Sequence, residues 1–484
     1  MTIGAMVFRR TMFSAAIVAA LVPATLVACT STSSPTPTLN WRSCQENDGF
    51  DCATVTVPID WADRDGATID IAVIRDKADD PARKVGTLVA LPGGPGSSGV
   101  DDLLKGGRFS PELRARFDIV SLDPRGVQRS HPLRCDGGLA AHRPNMVPDL
   151  GGRLDEIRSY ARDFAASCRE HTGALVDHLD AVSVARDVEA LRVALGVDRF
   201  SVYSRSYGTM FAQAYAELFP QRLRALLMDS VDDHSLDGRG FFATEARGGQ
   251  DAFDEFAAWC ERDRTCALHG TDVHRIYGDL FDRAAQGTLH DSADPNRAMG
   301  PIDLSIKVTQ RLYRPDWPGL TVDLQALAAQ PATPVQSAAV QRSGRPAATP
   351  EAFVCADWKF DIADQDDWIR QWHEQNAAAP TLRAHFAWAA GTLCSAWPTA
   401  AQNPPHRPRI DGAPPILVIN GRHDPAAPYE WATRVAAQIP NSTLLTYDGW
   451  GHGSYDRTPC TTNAADRYLI DLVIPAPSTH CAAA

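Results

Sequence analysis

The fold of this chain is most tightly constrained between residues 200 and 218. Residues 200–203 (FSVY) are strand formers, residues 209–218 carry an apolar-rich helical pattern, and only SRSYG at 204–208 joins them. A buried strand that turns this sharply into a helix is a unit of a parallel sheet, whose strands are connected by crossover helices. Ser206 stands at the apex, with Gly208 two places after it and Ser204 two places before it. A hydroxyl raised on such a turn, between small residues that let the backbones approach, is placed to act as a nucleophile.

The rest of the chain repeats the theme. Residues 53–59 (ATVTVPI) and 68–74 (TIDIAVI) read as a leading hairpin around a turn-rich segment that ends at Gly66. The apolar runs 87–91 and 117–122 read as buried strands, one discharging into PGGPG at 92–96 and the other into DPRG at 123–126. Val184, Val188, Leu191 and Leu195 recur at helical spacing, and Gly196 ends that helix. Residues 224–228 give a further strand. Regular alternation resumes with a strand at 415–420, a helix at 429–438, a strand at 442–447, a loop at 448–453 and a closing helix near 463–473. Between these blocks, residues 233–413 lack the alternation and are rich in Ala, Trp, Arg and Pro. The expectation is a doubly wound α/β core in two parts, 41–232 and 414–484, with a mostly helical cap of 233–413 inserted between them.

A serine hydroxyl needs a base to become nucleophilic, and the base needs a third group to fix its tautomer. Asp424, in Gly421-Arg422-His423-Asp424-Pro425, and His452, in Trp450-Gly451-His452-Gly453, both follow strands and complete the chain order Ser, Asp, His. His423 and His406 are rival bases and Asp448 a rival acid, but none has both the loop position and the order. Acyl transfer also needs N–H donors where negative charge develops. The expected donors are the backbone N–H groups of Tyr207 and Gly94, with Gly93 as the alternative. Asp123 and Arg125 read as a strand-end pair that holds the loop beside this site. Arg205 either points into the site or caps a turn.

The chain ends and cysteines speak to location. Arg9 and Arg10 precede an uncharged stretch to Ala28, the charge order of an export signal at 1–28. The paired arginines also permit twin-arginine export. Leu26-Val27-Ala28-Cys29 has the form of a bacterial lipoprotein cleavage site, which makes Cys29 a lipidation candidate. The Ser/Thr/Pro-rich residues after it complete a tether at 29–40. Ten further cysteines, none at CxxC spacing, suit disulfides in an oxidising compartment, with Cys44/Cys52 and Cys260/Cys266 as natural local pairs. With 44% hydrophobic and 22% charged residues the chain can bury a core. Its formal charge of −12 becomes −14 once the signal's two arginines are removed, so nucleic acid is not an expected partner.

Taken together, LPGGPGSSG at 91–99, FDIVSLDPRGVQRS at 117–130, SYGTMFAQAYAELFP at 206–220, Asp424-Pro425 with Pro428-Tyr429, and Gly451-His452-Gly453 resemble a known family. This is the secreted, tripeptidyl-aminopeptidase-like branch of the actinobacterial α/β-hydrolases, relatives of the proline iminopeptidases. The resemblance runs from Trp41 to Cys481 and implies the α/β-hydrolase fold: a mostly parallel sheet, helices on both faces and an inserted helical cap. It implies an exported serine peptidase or esterase, no metal or organic cofactor, a peptide or ester substrate, and contact with a membrane only through an N-terminal lipid anchor. Cys355 and Cys394 lie in segments that look like the family's cap cysteines. The chain departs from the pattern at Ser204, Arg205 and Ala427. An aminopeptidase must also hold a free α-ammonium, and Glu351 and Asp357 are the candidate carboxylates. An esterase acting on lipid or cell-envelope esters, and a binding lipoprotein that has kept only the fold, are the rival readings.

Overall fold

The computed structural model describes residues 38–291, 297–333, 349–383 and 385–483. The expected signal peptide, Cys29 and most of the tether lie outside them. The described residues form ten strands: β1 (Arg42–Ser43), β2 (Asp51–Pro58), β3 (Thr68–Asp76), β4 (Gly86–Leu91), β5 (Phe117–Leu122), β6 (Phe200–Ser206), β7 (Leu223–Val231), β8 (Ile416–His423), β9 (Ser442–Trp450) and β10 (His480–Ala482). They make one sheet in the order β1-β2-β3-β5-β4-β6-β7-β8-β9-β10. The first four strands in that row pair antiparallel, and every pair from β5 onward is parallel. The expected hairpin is β2–β3, with Val55 opposite Ile71. Strand β9 runs three residues further than expected, because Trp450 still pairs with His423, so the histidine loop is shorter than the sequence suggested.

Alternate side chains along the strands enter two separate cores, as a sheet covered on both faces requires. Val202, Leu226, Met228 and Val418 pack under the helices Leu154–Thr172, Ala181–Ala194 and Gly208–Leu218. Tyr203, Ala225, Leu227 and Leu417 face the helices Gly99–Lys105 and Pro459–Asp471. Between β7 and β8 the described residues form seven helices, the longest Gly238–Arg262, and their aromatic residues Phe242, Trp368 and Trp388 continue the first core. All ten described cysteines are paired: Cys44–Cys52 and Cys260–Cys266 as expected, with Cys135–Cys168, Cys355–Cys394 and Cys460–Cys481. No helix of the described residues is long and apolar enough to cross a membrane.

The chain passes from β4 to β5 on one side and returns to β6 on the other. The C-terminal ends of β4 and β6 therefore flank a topological switch point, where open α/β sheets bind ligands. The loop Pro92–Gly96 and Ser206 both lie there.

Asp123 and Arg125 are buried at the end of β5, but they do not pair with each other. Arg125 forks onto both carboxylate oxygens of Asp187, at 2.7 and 2.6 Å, and both side chains are fully buried. Asp123 accepts instead from the Ser98 hydroxyl and the Val100 amide. The two residues point to opposite neighbours, so each fixes a different stretch of chain.

Candidate active site

Ser206 ends β6 with φ +56°, a conformation that L residues other than glycine seldom adopt. Tyr207 already has helical angles, and the helix Gly208–Leu218 follows at once. Gly208 could not be larger: a Cβ there would lie 2.5 Å from the Pro92 carbonyl oxygen and 2.7 Å from that of Leu91. A Cβ on Gly93 would meet the Arg205 carbonyl oxygen and Ser206 Cβ, both at 2.9 Å. The glycine loop after β4 is thus pressed backbone to backbone against the turn that carries Ser206. Ser204 fits where a glycine is usual because its hydroxyl donates to the Leu227 carbonyl of β7 at 3.2 Å.

Asp424 follows β8 and is buried. Its Oδ1 accepts the amides of Ala426 and Ala427, both at 2.9 Å, and its Oδ2 accepts the Ser230 hydroxyl at 2.6 Å. His452 Nδ1 lies 2.9 and 3.1 Å from the two oxygens, so the imidazole is held by one nitrogen and its Nε2 is left to exchange protons. At position 427 only main-chain groups are bonded, the amide to Asp424 and the carbonyl to Asn420 Nδ2 at 2.9 Å, so alanine serves where a threonine is common. The histidine loop is held from three sides. The His452 amide donates to the Tyr313 carbonyl at 2.8 Å, with the two rings 5.0 Å apart. The Gly453 amide donates to Ser230 Oγ at 2.8 Å. The amides of Ser454 and Tyr455 donate to the buried Asp229. A Cβ on Gly453 would lie 2.9 Å from Arg205 Cδ, so this loop rests on the residue before Ser206. Arg205 thus packs beneath the histidine loop.

Gly94, Ser206 and Tyr207 line one cavity together with Asp232, Glu245 and Tyr313. Gly94 has φ +116°, a glycine conformation. The rival residues are engaged elsewhere: His423 with Asp251 at 2.8 Å, His406 with Glu217 at 3.1 Å, and Asp448 with Arg422 and His480. Among the described residues no group of three or more His, Cys, Asp or Glu side chains is arranged to hold a metal ion.

The two carboxylates expected to bind an ammonium do not line this cavity. Glu351 is buried against Arg143 at 2.6 Å and accepts the Thr349 hydroxyl at 2.7 Å. Burial alone would raise its carboxyl, but the charge of Arg143 and the hydrogen bonds from Thr349 and Arg143 together hold the group below the usual range. Asp357 is fully buried: Oδ1 accepts from the Ala181 amide and Asn403 Nδ2, and Oδ2 meets the Tyr207 hydroxyl at 2.5 Å. Burial, then the charge of Asp180, lifts its carboxyl to about 7. The Tyr207 hydroxyl also donates to the Phe353 carbonyl at 3.0 Å. One hydroxyl proton cannot serve two acceptors, so the set is complete when Asp357 carries a proton on Oδ2 and donates it to the Tyr207 oxygen. Asp357 is thereby a positioning residue for Tyr207 and has no free oxygen for substrate.

Sequence reasoning missed three residues here. Ser230 bridges Asp424 and the Gly453 amide from a backbone φ of +57°, a geometry that leaves no sequence signal. Asp232 and Glu245 lie just past β7 and on the helix Gly238–Arg262. Position 232 is one residue beyond the strand neighbour of Ser206, a register that only the folded sheet shows.

Residues 86–321 match the family model described as alpha/beta hydrolase fold, and residues 379–481 match the one described as TAP-like protein. The chain is 31% identical to serine protease Hip1 of Mycobacterium tuberculosis over 92% of its own length and 91% of that protein's. It is 32% identical to carboxylesterase B of the same species, covering 92% and 90%. It is 28% identical to tripeptidyl aminopeptidase of Streptomyces coelicolor, covering 92% and 86%. With these relatives matched along almost their whole length, and with a serine on a strand-to-helix turn of a doubly wound sheet, the chain belongs to the tripeptidyl-aminopeptidase-like family of α/β-hydrolases and is a serine hydrolase.

Proposed function

We propose that this chain is an exported serine peptidase that cleaves short peptides from a free N-terminus through an acyl-enzyme. The observation that carries the reading is the Asp424–His452 hydrogen bond of 2.9 Å on a loop packed against the positive-φ turn of Ser206. In this reading Ser206 Oγ attacks the scissile carbonyl carbon and its proton passes to His452 Nε2. The oxyanion is held by the N–H groups of Tyr207 and Gly94, and His452 then protonates the departing amine. Water, deprotonated by the same nitrogen, displaces Ser206 from the acyl group and restores the free hydroxyl. Asp424 fixes the tautomer throughout.

Peptide substrates are supported by the relatives named serine protease and tripeptidyl aminopeptidase. The helical segment 233–413 then acts as a cap that closes one end of the cleft. A second reading, ester hydrolysis, is favoured by the relative named carboxylesterase B. The five disulfides fit an oxidising compartment. Within the proposal, residues 1–28 direct export and Cys29 carries a lipid that anchors the chain on the outer face of the membrane.

The test compares unblocked peptide amides, N-blocked peptide amides and acyl esters with the wild type, Ser206→Ala and Asp424→Asn. Turnover of unblocked peptides, loss of that turnover in Ser206→Ala and a fall of about 10⁴-fold in kcat for Asp424→Asn are expected. Turnover of esters alone would replace the peptidase by the esterase. Full activity in Ser206→Ala, with no labelling by a fluorophosphonate, would remove the catalytic assignment.

A further inference from the structure

The cavity against Ser206 is more acidic than attack on a neutral carbonyl requires. Val231 is the strand partner of Ser206 across β6 and β7, and Asp232 is the next residue. The Asp232 amide donates to Thr209 Oγ1 at 3.0 Å, and that hydroxyl donates to the Ser206 carbonyl at 2.7 Å, so main chain ties Asp232 to the nucleophile's turn. Asp232 as a whole is only 7% exposed, and it lines the cavity. Among the described residues its carboxylate makes no ion pair and accepts no hydrogen bond. Its main-chain amide and carbonyl alone are bonded. Glu245 lines the same space and is also buried. Its Oε2 accepts the Ala387 amide at 2.8 Å and faces His385 Nδ1 at 2.9 Å. Glu245 thus has a potential cation beside it, and Asp232 has none.

A carboxylate withdrawn from water without a partner is strongly disfavoured. Here burial, and then the neighbouring acids Glu245, Asp424, Asp233 and Asp357, push the Asp232 carboxyl well above its usual range. The structure leaves one charge sign missing from this cavity: among the described residues no Lys, Arg or His lines it, and its aromatic walls, Phe241 and Trp431, are stacked on each other and bring no charge. We infer that Asp232, assisted by Glu245, receives an ammonium group carried by the residue whose carbonyl Ser206 attacks. The inference rests on Ser206 being the nucleophile. The ammonium has two chemical sources: the free α-amine of that residue, in which case the released fragment is a single residue, or a lysine side chain on it, which leaves the fragment length open.

Two matched substrate pairs separate the sources: alanine p-nitroanilide against its N-acetyl form, and N-acetyl-lysine p-nitroanilide against N-acetyl-norleucine p-nitroanilide. In the wild type the charged member of one pair is expected to exceed its neutral partner in kcat/KM by about 10- to 100-fold, the span of one buried charge-assisted hydrogen bond. Asp232→Asn should erase most of that ratio, and Glu245→Gln part of it. Preference in the first pair assigns the α-amine, and preference in the second assigns the side chain. No preference in either pair, or an unchanged ratio in Asp232→Asn, would overturn the inference. If Asp232→Asn does not fold, the wild type still decides. Butylammonium should protect Ser206 from a fluorophosphonate at concentrations at least about 10-fold lower than butanol does, and equal protection would refute the subsite. A wild type that no fluorophosphonate labels would instead fail the nucleophile assignment, and the subsite with it.

Discussion

Replacing Asp357 by asparagine tests whether this buried acid is neutral in the folded protein. The side-chain amide reproduces the neutral carboxyl: its oxygen accepts from the Ala181 amide and Asn403, and its NH₂ donates to the Tyr207 oxygen, leaving that hydroxyl for Phe353. Lifting the carboxyl from 3.8 to about 7 corresponds to about 4 kcal/mol, at about 1.36 kcal/mol for each decade of acidity. The sign follows from proton uptake. Between these values the folded state holds a proton that the unfolded state has lost, so this group's contribution to stability is greatest below pH 4. It declines through pH 7 and is flat above. Asp357→Asn should therefore match the wild type near pH 4 and exceed it by about 4 kcal/mol at pH 8, or about 4 °C in Tm for a chain of this length. Thermal unfolding of both proteins across pH 4–8 measures it. A Tm difference that stays constant over that range would show that Asp357 is not the titrating group and would refute the proton placement between it and Tyr207.

Two further outcomes follow from the packing. Asp187→Ala strands the guanidinium of Arg125, which has no exposure of its own, and should cost about 3–5 kcal/mol, read as a lowered Tm and poor accumulation. Gly208→Ala drives a Cβ into the carbonyls of Leu91 and Pro92, so β4 must retreat from the Ser206 turn and take Gly94 with it. The expected result is a fall in kcat of about 10²-fold, because misplacement at the reacting centre is penalised far more than stability. A variant with unchanged burst amplitude and kcat would show that the loop tolerates the shift.

The central strands were legible because parallel strands buried on both faces read as short apolar runs, and β4, β5, β6, β7 and β8 all do. Chain order and strand ends also led to Asp424 and His452, which the structure brings into hydrogen-bond contact. The terminal strands β1 and β10 were not legible, since two or three residues carry no period. Arg125 and Asp187 are 62 residues apart, and only the folded sheet shows that they pair. Glu351 and Asp357, expected at the pocket, do not line it, for a related reason. In the helices between β7 and β8 composition reports helicity but not which side of each helix meets the nucleophile, and two acids that looked available are already bonded to Arg143 and Tyr207.

Tyr313 limits how such a protein can be rebuilt. It ends the helix Pro301–Tyr313 and lines the cavity, yet its carbonyl also receives the His452 amide and Arg457. A chimaera that exchanges this helical segment to alter selectivity would replace a wall of the pocket and release a clamp on the imidazole in the same cut. Grafts of that kind should bind their new substrates and turn them over slowly until an acceptor is restored opposite the His452 amide. The helices and the core are better treated as one unit of inheritance than as interchangeable parts.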